Sequence, residues 1–384
     1  MNVRVYGERL RDARVVQALL SKDVAQRAGL APSQLTRLEH ATYTDVNEET
    51  AERLANALAF PLAFFSYSSS AHVKPGTTLF RARKSMSRRE EEQLHSWSRL
   101  SAEIFASVVS KVEIPSLTLP SPADFSDPES AASATRRAFG LDLYAPIPHV
   151  MRAVERAGVP VVSLDFESDV ARHDAFSCWV GTDDSILDEW PLMLLRTIDS
   201  WERTRFSIGH ELGHIVMHRR GVVEDSLAEQ QAHDFARFFL LPGEVLKSKW
   251  PDFPTLNGIM HLKAEYGLSL SGIIEHAWRI GLIDDARRIS FYKQLSNRRD
   301  ALTGLRWREQ EPGSRDREAE RPRLVSRMIE AVFGEGLRVA ELSAPTGYWP
   351  LLYLRRILAS QVWSGVSASN PHSSSVISLS RRRA

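Results

Sequence analysis

Cysteine is nearly absent: Cys178 is the only one in 384 residues. A lone thiol excludes an internal disulfide framework and fits a reducing compartment. No uninterrupted apolar run is long enough to span a bilayer, and the opening MNVRVYGERLRDAR lacks the apolar segment of a secretory signal. The expectation is a cytoplasmic protein with no membrane partner. An excess of charge of either sign is missing too. A formal net charge of +1 points by itself to neither nucleic acid nor lipid. What remains, 43% hydrophobic and 25% charged residues, suits a globular chain with sizeable cores, and its length favours two or three domains.

Residues 5–65 read as compact and helical. VYGERLRDARVVQALL places Leu10, Ala13 and Leu20 near one face of a first helix. Ser21 then opens SKDVAQRAG, with Val24 and Ala28 inward and Gly29 at its end. APSQLTRLEHA follows, with Pro32 suited to a first turn and Leu35 and Leu38 facing the core. Two short helices about a glycine turn describe a helix-turn-helix, and two further helices are expected at 47–58 and 61–66. The stretch resembles the Cro/repressor-like (XRE) helix-turn-helix domains, on Ala25, Gly29 and the run Arg37-Leu38-Glu39. That resemblance implies DNA binding through residues 1–67, with Pro32, Ser33, Gln34, Thr36 and Arg37 opening the recognition helix. Charge is less supportive: residues 1–65 hold eight Lys/Arg and eight Asp/Glu, whereas phosphate contacts favour a positive excess. A protein-binding role for the module stays open.

The polar run SYSSSAHVKPG marks a boundary, and residues 77–112 are expected as a connecting helix. Its apolar stripe runs through Leu94, Trp97, Leu100, Ile104 and Val108, and its charges read as a solvated face. From 129 a second domain is expected to continue to 295. FSCWV and PLMLL look like strands within it, and a helix-turn-helix-like unit falls near 260–283 around Gly267. Residues 296–323 are charge-dense and read as an exposed linker, 324–363 as a helical subdomain that could mediate self-association as a homodimer, and 364–384 as a disordered tail. The fold class is mainly α with a small sheet (α+β): an all-α N-terminal domain, a core that carries the sheet and a C-terminal helical subdomain.

The chemistry concentrates in GHELGHIVMH, residues 209–218. Residues four apart share a helix face, so His210 and His214 can reach one ion. Glu211, rotated around the helix, is placed to reach a water on that ion, the general-base position of an H-E-x-x-H motif. His218 continues the four-residue step, but eight residues of helix separate it from His210 by about 12 Å. Two ligands at bond lengths of roughly 2 Å cannot span that, so His218 belongs behind the site. The best source of a third ligand is AEQQAHDFARFFLLP, where Glu229 shares a face with His233. Glu224, Asp225 and His233 are rivals for that place. Neutral imidazole with carboxylate favours Zn2+, although Mn2+ or Fe2+ could load the same set. Tyr266, Tyr292 and His173 are candidate donors to a transition state.

Two motifs in this order resemble the ImmA/IrrE-type metallopeptidases. They are Arg205-Phe206 leading into His210-Glu211-Leu212-Gly213-His214 and His218, then Glu229-x-x-Ala232 with Phe235-Ala236 and Leu240-Leu241-Pro242; HDAFS at 173–177 is similar as well. The resemblance implies His210, His214 and Glu229 as metal ligands and Glu211 as general base. It departs at His233, where the family usually has Asn or Asp. It also implies a protein substrate, a helix-turn-helix repressor or antitoxin whose cleavage relieves transcription. The competing expectation is a regulator, or a toxin–antitoxin or phage-immunity component, that uses the metal site as a sensor or structural element.

Overall fold

The structure is a computed structural model that describes residues 1–69, 71–73, 87–109, 111–164, 174–182, 189–196, 200–218, 224–301 and 303–333. His173, most of the expected C-terminal subdomain and the expected tail lie outside them.

The chain opens with β1 (Asn2–Tyr6), α1 (Gly7–Val16), α2 (Ser21–Arg27), α3 (Pro32–His40), β2 (Tyr43–Asn47), α4 (Glu48–Leu58) and α5 (Leu62–Phe65). To the helices expected here the structure adds a two-stranded antiparallel ribbon, with Val3 opposite Val46 and Val5 opposite Thr44. β-Branched and aromatic residues on both strands favour this pairing. It shortens the first helix at its N-terminal end, since residues 2–6 are used as strand. Asn47 leaves the ribbon and caps α4, its side chain accepting from the Thr50 N–H at 2.8 Å.

β3 (Ala71–Val73), α6 (Arg88–Val109), α7 (Pro128–Ala138), α8 (Val150–Arg156), β4 (Val161–Leu164), β5 (Ala175–Thr182) and β6 (Trp190–Arg196) follow. Both expected strands, FSCWV and PLMLL, are present. The sheet order is β3-β5-β6-β4, with β4 parallel to β6 and the other pairs antiparallel. Period-two alternation divides its side chains. Phe176, Cys178, Val180, Leu192 and Leu194 enter one core, together with the N-terminal helices and the expected stripe of α6. Ala175, Trp179, Met193 and Leu195 enter a second core with the later helices. Some charges of α6 are not solvated as expected. Glu103 is buried against Arg9 at 2.7 Å, and Arg99 pairs with buried Asp12. The helix lies between the N-terminal module and the sheet, so water is excluded from both of its sides.

The second core is built by α9 (Trp201–Met217), α10 (Asp225–Leu240), α11 (Gly243–Lys249), α12 (Met260–Tyr266), α13 (Leu270–Arg279) and α14 (Asp285–Asn297). α15 (Leu324–Phe333) returns to the first core through Leu324, Val325, Met328 and Ile329. The charged stretch 296–323, expected as an exposed linker, is instead fastened at two carboxylates. Glu311 accepts from the Leu270 N–H at 2.8 Å and pairs with Lys263 at 3.2 Å. Glu320 pairs with Arg205 at 2.7 Å and with His149 at 3.0 Å. Long-range ion pairs of this kind hold a polar strap that composition alone reads as free.

Candidate metal centre

From Ser207 to Val216 every residue of α9 is buried, including His210, Glu211 and His214. Polar groups inside a core are costly unless they face partners. The partner is α10, and two glycines set how close it comes. A Cβ on Gly213 would lie 3.0 Å from Phe235 Cδ1 and 3.2 Å from Ala232 Cα, and one on Gly209 would lie 3.4 Å from Ala236 Cα. Gly209 and Gly213 thus accept the Ala232–Ala236 face of α10. Glu229, three residues before Ala232, is brought by that contact over the histidines.

His210 Nε2 and His214 Nε2 are 3.1 Å apart; Glu229 Oε2 lies 3.5 Å from the first and Oε1 3.3 Å from the second. Tetrahedral ligands at zinc bond lengths sit about 3.4 Å from one another. The two Nε2 atoms and the two oxygens of the Glu229 carboxylate therefore lie at the separations that ligands of a small divalent ion keep.

A hydrogen-bond chain fixes the ring of His214. Gln231 Oε1 can only accept, so the His218 Nε2–H donates to it at 3.0 Å. That leaves His218 Nδ1 as an acceptor, and the His214 Nδ1–H donates to it at 3.1 Å. His214 Nε2 is then a bare lone pair facing the cluster. Burial pushes the His218 imidazole below its ordinary pKa, in keeping with the neutral form this chain requires. His218 thus has both ring nitrogens engaged, one by His214 and one by Gln231.

Glu211 receives the Ser177 Oγ–H at 2.8 Å. Strand parity explains the contact, since Ser177 shares its face with Ala175 and Trp179 and so points to α9. HDAFS carried the family resemblance, yet nothing in it singled out the serine. The signal was available in the alternation of AFSCW. Cys178, one residue on, faces α6, where burial pushes its thiol up to about 12.

Among the rival ligands, His233 stays close: its ligand atom, with those of His210 and Glu229, falls within 4.8 Å. Its ring stacks on Phe206 at 5.6 Å. Glu224 is exposed and accepts from Ser226 instead. Asp225 is the first residue of α10, a turn before Glu229. Two of the candidate donors are engaged elsewhere: the Tyr266 hydroxyl donates to the Tyr144 carbonyl at 3.3 Å, and that of Tyr292 to the Ser271 carbonyl at 3.4 Å.

On α3, Pro32, Ser33, Gln34, Thr36 and Arg37 are all exposed, while Leu35, Leu38 and Glu39 are buried. Gln34 Oε1 accepts from the Ala31 N–H at 2.9 Å and Thr36 Oγ donates to the Pro32 carbonyl at 3.0 Å. Glu39 has a structural partner, taking both arms of Arg14 at 2.6 and 2.8 Å. The helix thus presents one continuous polar face outward.

Residues 154–276 match the family model described as the IrrE N-terminal-like domain, a peptidase family, and residues 10–65 match a helix-turn-helix model. The first match runs from α8 into α13 and contains His210, His214 and Glu229. The second contains the whole of α2 and α3. No curated protein matches the chain.

Proposed function

We propose that this chain, which joins an XRE-type helix-turn-helix domain to an IrrE N-terminal-like peptidase domain, is a DNA-binding regulator that cuts a partner protein at the His210–His214–Glu229 centre. The observation that carries the reading is the convergence of His210 Nε2, His214 Nε2 and the Glu229 carboxylate at 3.1–3.5 Å, with buried Glu211 next to His210 in the chain.

The residues fit a divalent ion, zinc by their chemistry, with His210, His214 and Glu229 as its holders. Bound there, the ion would supply Lewis acidity, polarising a peptide carbonyl and acidifying a water. Glu211 takes the proton from the attacking water and hands it to the amine that leaves, as a general base and then acid. Ser177 holds one oxygen of that carboxylate. Gln231 and His218 keep His214 in the tautomer that offers Nε2. The substrate class, a helix-turn-helix repressor or an antitoxin, is inferred from the resemblance of the peptidase motifs and from the fused module.

Glu211→Gln tests the chemistry. Cleavage of a co-expressed helix-turn-helix repressor should fall by about a thousandfold or more, the scale on which removing a general base acts, while bound zinc per chain stays unchanged. Equal cleavage by the variant would sink the peptidase reading. For the relay, His218→Phe should weaken zinc retention roughly tenfold, read by competition with a chelating dye. Unchanged affinity would remove His218 from the design.

A further inference from the structure

A second cavity, of about 550 Å³, opens away from the metal centre between the end of α7, one face of α8 and the start of α15. His149 at the N-cap of α8 and Arg152 and Arg156 within it recur at three- and four-residue steps, and Arg323, just before α15, lies four residues from Arg327 within it. Two pairs of arginines thus line one cavity, an arrangement of like charges that costs stability unless something offsets it.

The neighbouring carboxylates offset only part of it. Glu155 is buried and already holds Arg152 at 2.6 Å and the Arg323 and Leu324 N–H groups at 2.7 Å. Glu320 is taken by Arg205, His149 and the Met151 N–H. Among the described residues, no acidic side chain forms an ion pair with Arg156, Arg323 or Arg327. The charges of Arg323 and Arg327 also add to burial in lowering the pKa of the Arg152 guanidinium. The rest of the wall is apolar, with Phe139, Leu141 and Ile147 on it.

We propose that this cavity binds a small phosphate ester, its phosphate among Arg152, Arg156, Arg323 and Arg327 and its apolar body on Phe139, Leu141 and Ile147. Guanidinium forks match phosphate oxygens in pairs, which favours phosphate over a lone carboxylate. A volume of this size suits a nucleotide-sized ligand. The inference is independent of peptidase activity.

Calorimetric titration of the full chain tests it, with adenosine monophosphate, pyrophosphate and adenosine as probes. The monophosphate should bind with a dissociation constant on the order of 10–100 µM, as expected for a ligand of its size. Pyrophosphate should displace it, and adenosine should bind at least tenfold more weakly. Arg156→Gln, at an exposed position, and Arg156→Gln combined with Arg327→Gln should each weaken the monophosphate tenfold or more with unfolding temperature preserved. Equal binding of adenosine, unaltered binding by both variants, or no heat up to millimolar monophosphate would each overturn the proposal. Binding of a short single-stranded oligonucleotide alone would overturn it too.

Discussion

Two regions of this chain share the same local design, a helix, a glycine at positive φ and a second helix. In the N-terminal unit Gly29 (φ 64°) joins α2 to α3; in the later one Gly267 (φ 69°) joins α12 to α13. Their surroundings separate them. α3 keeps its polar face in water, whereas α13 buries Leu270, Ile273, Ile274, His276 and Ala277 and has its first N–H groups taken by Glu311. Beneath Gly267 lies buried Arg205, whose guanidinium donates to the Tyr266 carbonyl at 3.2 Å. A helix-turn-helix is therefore a way to turn a corner, and only its outer face decides whether it can read DNA.

The largest effect is expected where the second unit is braced. Burial opposes the charge of Glu320, but its hydrogen bond with His149 and the charge of Arg205 prevail and hold its carboxyl down at about 2. Below an unfolded value near 4.5, that shift corresponds to about 3 kcal/mol. The contribution is complete above about pH 5 and is lost as pH falls from there towards 2. Glu320→Gln should accordingly lose about 3 kcal/mol in urea unfolding at pH 7, and the gap to wild type should close in acid. A gap that stays constant with pH would show that the brace is not electrostatic.

Next come the glycines. A Cβ at 267 would lie 2.4 Å from Arg205 Nε, whereas one at 29 meets only the end of Arg53 at 3.3 Å. Positive φ costs each about 1–2 kcal/mol, and the collision adds more at 267. Gly267→Ala should destabilise by about 3 kcal/mol and Gly29→Ala by about 1 kcal/mol. Equal losses in thermal unfolding would erase the distinction drawn between the two turns. The smallest change in stability, within about 0.5 kcal/mol, belongs to the exposed face of α3. Gln34→Ala with Arg37→Ala should cut affinity for the chain's own promoter fragment at least tenfold, while Arg279→Ala on α13 leaves it unchanged. The reverse pattern in a gel shift would move DNA reading to the second unit.

Much of this was legible because it is local. The four-residue step of His210 and His214, and Glu229 at four residues from His233, follow from helix period alone, whereas the close approach of α10 to Gly213 follows only from the packing. The ribbon was not legible, since strands of five residues acquire their register only from each other. Nor were the anchors of the strap: Glu320 and Arg205 stand 115 residues apart, and a charge-dense segment reads as solvated until its partners are known. His233 was read as a departure from the motif it resembles, and its ligand atom stays within 4.8 Å of those of His210 and Glu229.

β5 carries the two halves of the molecule on consecutive residues. Ser177 turns to the Glu211 carboxylate, and Cys178 turns to α6 and the DNA-facing module. A shift of pairing with β6 by one residue would exchange them, placing a thiol against the base and a hydroxyl in the apolar core. The ladder from Ala175↔Leu195 to Val180↔Trp190 is thus the index mark of the protein, the alignment that sets the hydroxyl and the thiol on their proper sides.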